Sequence, residues 1–135
     1  MTEAWLIDKS GLVLMPFHPD EPLWSQRVDD GLVHICGITV LELGSVARKA
    51  ADHARVLGGV LLGRMIVEWN LPMAVTRRAY EVQGLLAASG QGRMPGIPDL
   101  LVAAVAESLH LTVLYHGHDF ELIAEVTGQP LYRLS

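Results

Sequence analysis

Ile97-Pro-Asp-Leu-Leu-Val-Ala-Ala-Val-Ala106 decides how this chain is to be read. Proline is tolerated in a first helical turn, where its missing N–H would have no intrahelical partner. Pro98 therefore introduces a helix over Asp99 to about Leu109, apolar on most of its faces. Leu111-Thr-Val-Leu-Tyr115 follows at once, with the β-branched and aromatic composition of a buried strand. A helix delivered straight into such a strand is the repeating unit of an α/β domain. Asp99 is out of place in this setting, because an unpaired carboxylate at the mouth of hydrophobic sequence is costly.

Two more acids share its predicament. Asp8 ends the apolar, strand-like run Ala4-Trp-Leu-Ile7, and Glu42 stands inside Thr39-Val-Leu-Glu-Leu-Gly44. Few Lys or Arg residues lie close by in sequence to neutralise them. Hard carboxylate oxygens suit Mg²⁺ or Mn²⁺, so a divalent cation is the natural source of the missing positive charge. For Glu42 a structural reading stands beside the functional one, since Thr39 and Glu42 have the spacing of a helix capping box.

The rest of the chain alternates between strand-like and helix-like periodicity. A helix over residues 20 to 30 follows Pro19, with Asp20 as its N-cap, Pro22 in the first turn and Gly31 as its stop. Leu32-Val-His-Ile-Cys36 is a second strand, and Gly37 separates it from a helix of about Thr39 through Val56. Residues 57 to 71 are the least legible: Gly58-Gly59 and Gly63 interrupt a leucine-rich stretch, and Met65-Ile-Val-Glu-Trp69 fits a short strand or the end of a helix. An amphipathic helix runs from Pro72 to near Gly90, and Gly90 through Pro98 is a loop by composition. Asp119 is placed to cap a helix over Phe120 to Val126, and Pro130-Leu-Tyr-Arg-Leu134 forms a last strand. Connections of these lengths favour a mostly parallel sheet with helices on both faces. The functional edge of such a sheet is the one at its strands' carboxyl ends, where Asp8, Glu42 and Asp99 can meet.

Composition narrows the class further. With 135 residues, half of them apolar, the chain is expected to fold as a single domain over 1–135. No apolar stretch approaches the ~20 residues of a spanning helix, and Glu3 and Asp8 occupy the place of a basic leader, so a cytoplasmic protein is expected. Cys36 is the single cysteine and reads as a buried strand residue. The net charge of −5 does not mark a nucleic-acid binder, but its distribution is uneven. Residues 48 to 93 hold Arg48, Lys49, Arg55, Arg64, Arg77, Arg78 and Arg93 against Asp52, Glu68 and Glu81. A basic middle beside acidic ends can hold a phosphate backbone over a metal site, or it can be ordinary solvated helix surface.

Four segments in order resemble the PIN-domain family, and in particular its VapC-type toxins. They are Leu6-Ile-Asp-Lys-Ser10, Gly37-Ile-Thr-Val-Leu-Glu-Leu-Gly44, Ile97 through Ala106, and Leu111 through Tyr115 with Asp119-Phe-Glu-Leu-Ile-Ala124. Only residues 55 to 72 lack a clear counterpart. The resemblance implies a three-layer α/β/α domain and a Mg²⁺- or Mn²⁺-dependent endoribonuclease of prokaryotic cytoplasm. It also implies a homodimer and a VapB-like antitoxin that inserts peptide near the site. Carried over by position, Asp8, Glu42 and Asp99 are metal ligands, and Ser10 is a hydrogen-bonding support for the metal or its water. Arg93, just before the third segment, is a candidate contact for RNA phosphate.

One departure from the pattern matters. The family usually carries an Asp-x-Asp-aromatic sequence, whereas this chain has Tyr115-His-Gly-His-Asp-Phe120, with Gly117 where an acid is expected. Three readings stand open: three acids suffice; Asp119, His116 or His118 reaches the metal instead; or the module binds RNA or antitoxin without cutting. His116 and His118 also fit plain loop residues, while His18, His34, His53 and His110 carry no assignment. Trp5 and Trp24 read as core or interface aromatics.

Overall fold

The computed structural model describes residues 3–57, 59, 62–90 and 92–135. Its strands are β1 (Trp5–Ile7), β2 (Val33–Cys36), β3 (Ile66–Glu68), β4 (Thr112–Tyr115) and β5 (Leu131–Arg133). They form one sheet in the order β3-β2-β1-β4-β5, and every neighbouring pair is parallel. Parallel neighbours need crossover connections. These are supplied by α1 (Lys9–Leu14), α2 (Glu21–Asp29), α3 (Gly37–Gly44), α4 (Ala50–Leu57), α5 (Met73–Ser89), α6 (Ile97–Ser108) and α7 (Asp119–Thr127). Ile7 pairs with Ile35 on one side and Leu114 on the other, so the three central strands finish level. The residues that follow them emerge together at a single edge.

Alternation along the strands divides the core into two layers. Leu6, Cys36, Val113 and Tyr115 face the helices α5, α6 and α7, meeting Val82, Leu86, Val102, Ala106 and Phe120. Trp5, Ile7, Val33, Ile35 and Leu114 face the opposite way, onto Met15, Trp24, Val28 and Val40. Side chains of a strand point to alternate faces, so a sheet buried on both sides reads as unbroken hydrophobic sequence. The three-layer α/β/α fold is therefore as expected, with a sheet that is wholly parallel. Cys36 is buried and free.

Several boundaries differ from the sequence expectation. The helix expected over residues 39 to 56 is two helices, α3 and α4, separated at residues 45–49. The capping box is overturned: α3 begins at Gly37 with Cys36 in the cap position, so Thr39 and Glu42 both lie within the helix. Thr39 is fully buried and its Oγ1 makes no hydrogen bond. Asp119 is the first residue of α7, behind His118 at the cap position, rather than the cap itself. Asp20 holds the cap position of α2, yet its side chain makes no capping bond. Met65 through Trp69 contains strand β3. No element was expected between Asp8 and Pro19, where α1 and a 3₁₀ turn (Met15–Phe17) occur. Of the glycines and the loop cited above, Gly58 and Gln91 lie outside the described residues.

Two glycines are required by close approach. A Cβ on Gly11 would stand 2.7 Å from the Leu114 carbonyl oxygen, so α1 can seat against β4 only with glycine there. A Cβ on Gly37 would meet the Trp69 ring at 2.8 Å, so this indole lies against the start of α3. Among the described residues no helix is long and apolar enough to cross a membrane.

Candidate active site

Asp8 is the first residue past β1, and its carboxylate turns back to cap α1. It accepts the Gly11 N–H at 2.9 Å and the Ser10 hydroxyl at 2.8 and 2.9 Å to its two oxygens. Burial pushes its pKa up, against the lowering effect of those hydrogen bonds. The Ser10 Oγ in turn accepts the backbone N–H of His116 at 3.0 Å and, more loosely, that of Gly117 at 3.4 Å. A hydroxyl has one proton and two lone pairs. Ser10 commits all of them to tying Asp8 to the loop after β4.

The other acids lie on helices that overlook the same edge, Glu42 in the second half of α3 and Asp99 in the first turn of α6. Glu42 projects from α3 and is half-buried. Its pKa is raised by burial, eased by Lys9 and raised again by Asp8. Asp99 is the third residue of α6, where the helix dipole favours a carboxylate. Even so, its pKa is pushed up to about 7, chiefly by burial, then by a hydrogen bond with Asp119 and by the charges of Asp8, Asp119 and Glu42. Four carboxylates thus act on one another across a cleft of about 480 Å³. Its walls also include Lys9, Ser10, Val13, Arg93, Phe120 and the turn His116-Gly117-His118.

Asp119 completes the group. Its Oδ1 is sealed from solvent without a well-aligned hydrogen bond, although Arg93 Nη2 stands 2.8 Å away as an ion pair. Gly117 lines the cleft, and a Cβ built on it would meet nothing within 4 Å. Its neighbours are tied by their Nδ1 atoms. His116 Nδ1 lies 2.7 Å from the Leu134 carbonyl, which can only accept, so Nδ1 carries a proton and donates it there. His118 Nδ1 lies 3.0 Å from Glu121 Oε1, and Glu121 also accepts from the Tyr115 hydroxyl at 3.0 Å and from Arg133 Nη1 at 3.1 Å. Burial and Glu121 together push the Tyr115 phenol up to about 12.

The structure therefore places every sequence-derived candidate, Asp8, Ser10, Glu42, Arg93, Asp99 and Asp119, around one cleft. Sequence reasoning missed Lys9, Val13 and Phe120 as lining residues. Adjacency to Asp8 was the one signal available for Lys9, and Val13 and Phe120 look like ordinary core residues. Among the described residues no group of three or more His, Cys, Asp or Glu side chains stands ready-formed to hold an ion. Asp99 and Asp119 share a hydrogen bond, and the four lining carboxylates are hard-oxygen donors of the kind a divalent cation could use while keeping several of its waters.

Comparison with known proteins places this geometry. The sequence profile of the PIN domain matches residues 6–126. The chain belongs to the PIN domain family. Ribonuclease VapC2 of Mycobacterium tuberculosis (strain CDC 1551 / Oshkosh) is 47% identical over 133 residues, covering 98% of this chain and 94% of its own. Ribonuclease VapC21 of the same organism is 41% identical over 136 residues, covering 97% and 94%. Among solved structures, the DNA-bound VapBC complex from Salmonella typhimurium superposes with a TM-score of 0.77 at 20% identity, covering 99% of this chain and 100% of that one. That likeness carries the PIN fold, and the two ribonucleases carry the sequence relationship. All four acids of the cleft fall inside the PIN-matching segment.

Proposed function

We propose that this chain is a VapC-type toxin: a Mg²⁺- or Mn²⁺-dependent endoribonuclease that hydrolyses RNA phosphodiester bonds and is inhibited by a cognate VapB-like antitoxin. The observation that carries the reading is the gathering of Asp8, Glu42, Asp99 and Asp119 in one cleft, where burial first, and then the neighbouring acids, push Asp99 up to about 7. Such a group is costly without a counter-cation and favourable with one. The donor set fits, being all hard oxygen, and includes the poorly satisfied Asp119 Oδ1. Asp8, Glu42, Asp99 and Asp119 would hold the ion. When bound, it supplies Lewis-acid stabilisation of the phosphate and a water of lowered pKa.

The remaining work falls to the chain itself. Ser10 fixes the Asp8 carboxylate and the His116–Gly117 backbone in one frame. Carboxylate oxygens of these four acids that the ion leaves free would orient the attacking water and receive its proton. Lys9 and Arg93 offer the cleft's positive charge to the RNA backbone. The relatives named as ribonucleases support the reaction class, and the VapBC complex supports an antitoxin partner. A homodimer and a place in prokaryotic cytoplasm complete the proposal.

Gly117 favours a second reading, in which the module binds RNA or antitoxin without cutting. The test is Mn²⁺-dependent cleavage of total cellular RNA by the chain beside Asp99→Ala and Gly117→Asp. Cleavage by the chain, lost by at least about a hundredfold in Asp99→Ala, is expected. Cleavage confined to Gly117→Asp would establish the silent module instead.

A further inference from the structure

Arg93 and Asp119 form an unequal pair. The Asp119 side chain is 17% exposed and held at the start of α7, whereas Arg93 is 68% exposed on the loop that leads into α6. The acid is fixed and the base is free to leave. Arg93 also forms the wall between the carboxylate cleft and a neighbouring hollow of about 290 Å³, lined by Leu86, Ala87, Gly90, Gly92 and Met94. Gly90 and Gly92 turn the chain just before it through left-handed conformations, at φ 70° and 77°. The guanidinium thus has room beside it, and it stands at the mouth of the cleft where an RNA backbone would pass.

We propose that Arg93 is an exchangeable counter-ion: it occupies Asp119 in the cation-free chain and, displaced by the arriving divalent cation, turns to an RNA phosphate. The inference rests on the metal-nuclease reading above. A guanidinium 2.8 Å from Asp119 Oδ1 occupies the approach that a cation needs, so the two compete for one carboxylate. A guanidinium binds phosphate oxygens as readily as carboxylate oxygens. Cation binding and RNA binding are then coupled through one side chain: the cation frees the arginine, and RNA, by holding the arginine, clears Asp119 for the cation. Linkage makes the two effects equal.

The test uses the full chain and two readouts other than cleavage. In calorimetric titration with Mn²⁺ alone, Arg93→Gln binds about two- to fivefold tighter than the unaltered chain, the range expected for losing one largely exposed ion pair. Arg93→Lys retains the unaltered affinity within about twofold. Fluorescence anisotropy of a labelled single-stranded RNA in chelator supplies the second readout. There Asp119→Asn raises RNA affinity more than Asp99→Asn does, although each removes one acid, and the excess disappears when Arg93 is also Gln. Mn²⁺ binding that is unchanged or weaker in Arg93→Gln overturns the exchange and leaves the metal site standing, as does equality of the two Asn variants. Absence of Mn²⁺ binding by the unaltered chain overturns the metal site and the exchange with it.

Discussion

Asp99 is under opposing demands that make it a reporter for the whole site. Its folded pKa of about 7 lies above the ordinary 3.8, so between these values the folded chain keeps a proton that the unfolded chain has lost. Stability of the cation-free protein therefore falls as pH rises through that window, and the full cost is present above it. Asp8 and Glu42, also raised, add slope of the same sign. In urea unfolding with chelator, Asp99→Asn should be more stable than the unaltered chain by about 1–2 kcal/mol near pH 8, discounted for its half-exposed position, and no more stable near pH 4. Saturating Mn²⁺ should reverse the order near pH 8, because only the acid gains from the ion. Gly117 lacks both a positive φ and a neighbour within 4 Å of a built Cβ. Gly117→Asp should fold without strain and bind Mn²⁺ roughly tenfold tighter in calorimetry, since affinity follows the number of charged ligands.

At the scale of elements, the site depends on how α1 is seated. Gly11→Ala would drive a methyl group to 2.7 Å from the Leu114 carbonyl and 3.0 Å from Ile7 Cγ1. Overpacking of that kind costs about 1–3 kcal/mol, and because Asp8 and Ser10 lead into α1, cleavage should fall by more than stability alone explains. Gly84 is the control. It lies mid-way along α5 with nothing within 4 Å of its built Cβ, so Gly84→Ala should gain about 0.5–1 kcal/mol in the same unfolding experiment. Four of the strands were legible to within a residue or so because each is a short apolar run bounded by turn residues, whereas the β3 segment read equally as a strand or the end of a helix. The helix α1 was not, because Lys9-Ser-Gly-Leu-Val-Leu14 shows no polar face and its seat is made by β4, more than a hundred residues away in the chain. The break between α3 and α4 was hidden for a related reason. Thr39 and Glu42 mimic a cap in sequence, while the chain enters α3 directly from Cys36. The acids were legible one by one, each as a charge in apolar surroundings. Their connections were not: Ser10 reaches His116 across a separation of 106 residues, and no local pattern encodes it.

For the molecule as a whole, a parallel sheet gathers the carboxyl ends of its strands, and with them the starts of α3, α6 and α7, at one edge. That edge is acidic within a chain of net charge −5, so RNA is expected to be held by few direct cationic contacts and to depend on the divalent ion. Lys9 and Arg93 are the Lys and Arg side chains lining the cleft among the described residues. Two such contacts predict a shallow salt dependence, with log K against log salt falling at a slope of about −1.4 for a single strand. Anisotropy titrations over a range of KCl with Ca²⁺ present would measure it, and a slope several times steeper would mean that Lys and Arg residues outside the cleft hold the RNA as well. The indole seated against Gly37 has an optical consequence. Trp5 and Trp24 are buried at 5% and 1% exposure, with the Arg27 guanidinium over both rings, whereas Trp69 is 65% exposed. Two emitters are shielded and the third meets solvent at the functional edge, so an aqueous quencher should reach one component of the fluorescence. A peptide or RNA that covers this edge would announce itself, without any label, as a blue shift and a loss of quenching in that component alone.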